Sequence, residues 1–116
     1  MAPQSILTST KKLLGIEEDY TAFDLDITLH INSVFSTLHQ LGVGPISGFF
    51  IEDKTAVWES FIGTTNGMFS VKSYVVLRVK LLFDPPATSF AIESFNSQIK
   101  ELEWRLCSVA ESNISV

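Results

Sequence analysis

Few side chains in this sequence are able to do chemistry: His30, His39, a lone Cys107 and two neighbouring aspartates, Asp24 and Asp26. A metal centre needs several ligands converging on one point, and a nucleophilic site needs a thiol or hydroxyl with a base in reach. The two histidines are nine residues apart in one helix-patterned stretch. That is about two and a half turns, which puts the rings on opposite faces, so one subunit cannot join them on one ion. Cys107 has Arg105 nearby but no histidine close in sequence, and it reads more simply as a small buried hydrophobe. A single cysteine also excludes an intrachain disulfide and a cysteine-rich zinc site. Asp24 and Asp26 point apart on a helix and make no acid–base pair, whereas a place near the positive end of the helix dipole accounts for both. The run Gly42-Val43-Gly44-Pro45 follows a helical pattern instead of opening one, so it lacks the strand–turn–helix setting of a phosphate cradle. The sequence predicts no catalytic turnover, no cofactor and no bound metal.

The elements around these residues are helical. Residues 7–16 read as a short helix capped by Thr8 or Ser9, with Gly15 weakening its end. From Ala22 the residues Phe23, Leu25, Ile27, Leu29 and Ile31 alternate as a strand would, but the longer window decides otherwise. Ile27, Ile31, Val34, Leu38 and Leu41 recur at steps of four and three, the spacing of one helical face, so a helix is predicted over 22–41, capped by Thr21 and ended by Gly42. Met68, Val71, Val75, Val79 and Leu82 predict a second helix over 68–83. Tyr74, Val76, Leu81 and Phe83 widen its apolar surface, as expected of a central helix contacted on more than one side. The Asp84-Pro85-Pro86 run stops it, because proline lacks the N–H and disfavours helix in the residue before it. Thr88 or Ser89 then caps a third long helix over 90–110, whose seam is Ile92, Phe95, Ile99, Leu102, Leu106 and Val109. The expected fold is mainly α: a small helical bundle with a projecting irregular loop or short β-arm between the long segments predicted over 22–41 and 68–83.

The chain has 116 residues, the range of one domain, so residues 1–116 are expected to share a single core, with a flexible tail at about 111–116. An apolar fraction of 46% and nine phenylalanines exclude a disordered chain. No apolar run is long enough to cross a bilayer, and the first residues lack the order of a secretory signal, so a protein held inside the producing cell is expected. The net charge of −5 is uneven: residues 1–62 carry three Lys against eight Asp or Glu, while residues 63–116 carry five of each sign. Lys11-Lys12 is too small a patch to neutralise phosphates, so specific nucleic-acid binding is not expected.

Aromatic residues are the remaining signal. Phe49, Phe50, Trp58 and Phe61 crowd into the segment broken by Gly44, Pro45 and Gly48, where a small domain normally places polar residues. Aromatics are favoured interface anchors, and the competing reading is that they fold back over the helices. The interface candidates are Phe49, Phe50, Ile51 and Trp58 in this arm, with Trp58 inward and Phe49 or Phe50 outward, and Trp104, which lies off the seam of the last helix.

The stretches LTSTKKLLGI (residues 7–16), DITLHINSVFSTLHQLGVGP (26–45) and, above all, VKSYVVLRVKLLFDPPATSFAIESFNSQIKELEWRL (71–106) resemble the head-to-tail connector proteins, also called adaptor or head-completion proteins, of long-tailed double-stranded DNA bacteriophages. The resemblance spans about residues 5–110. It implies a helical bundle with a projecting loop, a virion protein of the neck that assembles from the host cytoplasm as a ring, often twelve-fold. Its implied partners are further copies of itself, the portal protein and the next connector or tail-completion protein, with double-stranded DNA passing through the channel without specific binding and no membrane. In some members the end of the chain docks, which maps here onto Ser112, Asn113, Ile114, Ser115 and Val116. An acidic chain suits such a channel, since a basic wall would hold the phosphates. Two other readings stay open: another tail-assembly component such as a tail terminator, for which more strand alternation is expected, and a helical adaptor outside phage biology.

Overall fold

Five helical segments form in the order α1 (Ile6–Leu13), α2 (Asp24–Gln40), α3 (Trp58–Ile62), α4 (Met68–Phe83) and α5 (Ser89–Ile114) in a computed structural model, which describes residues 5–43, 49–62 and 68–114. The breaker run at 44–48, the turn-rich connector at 63–67, and Ser115 and Val116 lie outside the described residues. The fold is mainly α, as expected. Among the described residues the β-type pairing is a lone antiparallel bridge between Ser5 and Val57, so the extended run at Phe49, Phe50 and Ile51 pairs into no strand.

Helix α1 starts before its expected caps. Ser5, held by the bridge, accepts the Thr8 N–H on its hydroxyl at 3.2 Å, and the Ile6 N–H donates to the Ala56 carbonyl at 3.0 Å. Thr8 and Ser9 therefore lie inside the helix. Both α1 and α2 end in the same way. Gly15 and Gly42 take φ values of +83° and +82°, and the next residues, Ile16 and Val43, reach back to the carbonyls of Lys11 and Leu38 at 2.8 and 2.9 Å. Glycine fits because a side chain in this left-handed region meets its own backbone.

Helix α2 begins two residues later than expected, and Thr21 does not cap it with its side chain. Phe23 occupies the cap position without a side-chain bond, while the Thr21 carbonyl takes the Asp24 N–H at 3.2 Å. Ring packing sets this entry: Phe23 lies 5.6 Å from Tyr20 and 5.2 Å from Phe83 between ring centres. The predicted face is the buried one, with Ile27, Ile31, Val34 and Leu38 all in the core.

Helix α4 is the centre of the domain and packs against each of the other four helices. Val71, Tyr74, Val75 and Val79 are fully buried. This meets the expectation from its broad apolar surface, although Leu82 at the end of the predicted stripe is 49% exposed. The helix stops at Phe83 before the proline pair, and Lys80 and Asp84 pair across the last turn at 2.8 Å. Thr88 then caps the next helix by accepting the Ala91 N–H at 3.2 Å.

Helix α5 packs mainly on α4. Ile99 and Leu106 of the predicted seam are buried, Leu102 is half-buried against the core, and Ile92 and Phe95 are only half-buried. The helix runs to Ile114 and so takes in Ser112 and Asn113, beyond the expected end at residue 110. No glycine or proline follows Pro86, so nothing in the sequence stops it.

Candidate interaction surface

The aromatic arm is fixed to α2 by one polar side chain. Asn32 donates from Nδ2 to the Ile51 carbonyl at 2.9 Å, and its Oδ1 accepts the Ile51 N–H at 2.6 Å. An asparagine amide presents a donor and an acceptor side by side, so it pairs with a backbone unit as a neighbouring strand would. With Ile51 pinned, the extended backbone alternates its side chains. Ile51 turns into the core at 2% exposed, and Phe50 turns out at 67%. Phe49 is half-buried in a three-ring cluster, 5.2 Å from Phe35 and 5.3 Å from Phe61, with Phe35 and Phe61 stacked at 4.7 Å. Next, Asp53 accepts the Thr55 N–H at 2.9 Å and also the Thr55 hydroxyl. The bonds from Thr55 hold its carboxyl below the usual range. Asp53 thus caps a turn ahead of α3 instead of capping α3 itself.

Trp58 is 1% exposed, and its Nε1–H donates to Ser9 Oγ at 2.8 Å. The Ser9 hydroxyl in turn donates to the Ser5 carbonyl. Lys72 lies over the indole at 5.8 Å. Of the arm candidates, then, Ile51 and Trp58 are spent on the core, Phe49 is shared and Phe50 is presented to solvent. Trp104 is 70% exposed on α5, and Ser112, Asn113 and Ile114 continue that helix.

A second region was not legible as a surface in the sequence. Lys11 is 2% exposed, so it contributes no basic patch with Lys12. Its ammonium donates to the Glu18 and Tyr20 carbonyls at 2.9 and 2.8 Å and lies 2.8 Å from Asp24 Oδ1. Two carbonyls that accept its hydrogens and a carboxylate in ion-pair range thus surround the buried ammonium. This knot folds the acidic α1–α2 link back against α2. The result is an open groove with Leu7, Leu25 and Thr28 along it and the carboxylates of Glu18, Asp19, Asp24, Glu52 and Asp53 around it, with Lys54.

Across the α4–α5 contact, the Tyr74 hydroxyl donates to Glu103 Oε2 at 2.7 Å, and Arg78 lies 3.5 Å from the same oxygen. Burial, then the bond to Glu103, pushes the Tyr74 phenol well above its usual pKa. These groups tie α4 to α5. His30 packs against Phe83 at 6.4 Å, and Cys107 is a half-buried free thiol. Among the described residues no three His, Cys, Asp or Glu side chains come together as a metal site, and no helix is long and apolar enough to cross a membrane.

The surface thus offers exposed aromatics, Phe50 in the arm and Phe90 and Trp104 on α5 among them, and an acidic groove. No curated protein and no solved structure matches the chain. The family model described as phage connector protein matches residues 6–113, nearly the whole chain and every helix in it, and the chain belongs to that family of phage structural proteins.

Proposed function

We propose that this chain is a head-to-tail connector subunit that assembles as a closed ring, twelve-fold in expectation, between the portal vertex and the tail. In this role it completes the head after packaging and extends the channel through which the double-stranded DNA passes without specific binding. The observation that carries the reading is the family match over residues 6–113. The surface supports it: Phe50 and Trp104, 67% and 70% exposed on different elements, give a subunit two separate apolar contacts, which a heterologous ring requires. The helical architecture favours a connector over a strand-rich tail terminator. The portal and the next connector or tail-completion protein are its partners at the virion neck, reached from the host cytoplasm during assembly, with Ser112–Val116 available as a docking end.

The test is reconstitution. The purified chain is mixed with portal-bearing, DNA-filled heads and imaged by electron microscopy. A ring of density under the portal is the expected result, and heads that stay bare at saturating protein overturn the proposal.

A further inference from the structure

Lys100, beside Trp104 on the exposed face of α5, is opposite in charge to the acidic groove beside α2. Trp104 is 70% exposed, and Lys100 lies one turn before it on the same face, exposed and without an ion pair among the described residues. The groove offers Leu25, 72% exposed, beside Leu7 and Thr28, which are buried. Of its five carboxylates, Asp24 is neutralised by Lys11, while Glu18, Asp19, Glu52 and Asp53 have no ion pair among the described residues. A large flat aromatic with a cation one turn away fits a groove with an apolar wall and an acidic rim. The two surfaces do not meet within one subunit: α5 packs mainly on α4, whereas the groove is built from α1, α2 and residues 52–54.

We propose that the Trp104–Lys100 face of one subunit docks into the Leu25 groove of a second copy of this chain, a head-to-tail contact that leaves a free groove and a free face for the next copies. This rests on the ring reading above and names the surfaces that would build the ring. Such a contact is heterologous and repeats until it closes.

Sedimentation velocity at low salt, over a concentration series, tests it with four proteins: wild type, Trp104→Ala, Lys100→Glu and the double variant Glu18→Lys/Glu52→Lys. Wild type is expected to self-associate, less so as salt rises. Each variant should associate at least about ten-fold more weakly, with thermal stability unchanged because these side chains are on the surface. Mixing Lys100→Glu with Glu18→Lys/Glu52→Lys should restore assembly, since every face then finds a groove of opposite charge in an alternating ring. Assembly by the variants equal to wild type, or no rescue on mixing, overturns the pairing. A wild type that stays monomeric throughout also overturns it as a contact sufficient in itself. The reconstitution on filled heads decides the ring reading separately: a ring there formed equally well by Trp104→Ala leaves the connector role standing and removes this contact.

Discussion

Asn32 and Ile51 are joined by two hydrogen bonds, one in each direction, so a single side chain on α2 sets which way three successive residues of the arm face. The bond pair stands in for the strand neighbour that the arm lacks among the described residues. Without it, Ile51 would carry a buried N–H and carbonyl into the core unpaired.

Replacing Asn32 with Ala should therefore cost about 1–3 kcal/mol, the penalty for leaving buried backbone groups unsatisfied. Asn32→Asp should not rescue the loss, because a carboxylate has no donor for the Ile51 carbonyl. Chemical denaturation of the two variants against wild type reads this directly. Equal midpoints for all three would show that the arm is held by its rings alone.

Lys11 is the second polar group on which the fold depends. Lys11→Met removes the ammonium and strands the Asp24 carboxylate and two carbonyls, so a loss of about 3–5 kcal/mol is expected. Asp24→Asn should cost less, since it leaves in place the two bonds from the Lys11 ammonium to the Glu18 and Tyr20 carbonyls. Thermal unfolding ranks the two, and the reverse order would mean that the backbone carbonyls contribute little.

Tyr74 makes stability depend on pH at the alkaline end. Its folded-state pKa is raised by burial and by the bond to Glu103, so the neutral phenol is the form the fold favours. The stabilisation is fully present below the unfolded-state value of about 10 and is lost as pH rises from there through the folded-state pKa. Over that window the loss is at most about 1.4 kcal/mol per pH unit from this group. Denaturation at pH 9 and 11 should show a smaller difference for Tyr74→Phe than for wild type. The same difference in both proteins would assign the alkaline loss to other groups.

Phe49 and Phe50 should separate in function although they are adjacent. Phe49→Ser opens the cluster with Phe35 and Phe61 and should cost about 2–3 kcal/mol of stability, somewhat below the range for a fully buried phenylalanine. Phe50→Ser should melt like wild type and lose binding to filled heads if Phe50 is an anchor. A melt that drops equally for both would place Phe50 in the core.

Much of this architecture is written in apolar spacing. The stripes through Ile27–Leu38 and Val71–Val79 are buried as their steps of three and four require, and the proline pair ends α4 at Phe83. The steps of two at Phe23, Leu25 and Leu29 mark no strand; these residues lie on the solvent side of α2 or at its entry. Where the sequence misled, a tertiary partner had overridden a local preference. Ser9 looks like a cap but serves the indole of Trp58, 49 positions away, and Ser5 takes the cap because Val57 and Ala56 hold it there. Asn32 and Lys11 carried no signal, since nothing in their neighbours tells that one would meet the backbone of Ile51 and the other would be buried. Trp58 was legible as inward, and an outward ring at Phe49 or Phe50 was legible too, though not which of the two. The groove was not, because it arises only when residues 18–19 and 52–54 are folded against the same helix.

The bridge between Ser5 and Val57 has a consequence for the order in which the molecule opens. An eight-residue helix is too short to persist in water by itself. Helix α1 and the loop end at 56–58 therefore hold each other through the Ser5 bridge and the Ser9–Trp58 bond, beside the packing of α1 on α2 and α4. Their amide hydrogens should exchange with solvent as one unit, at a common free energy below that of the α2–α4–α5 layers. The same unit carries one wall of the acidic groove. A subunit that binds there would close the most easily opened part of its neighbour, so that assembly itself would slow exchange at residues far from any contact.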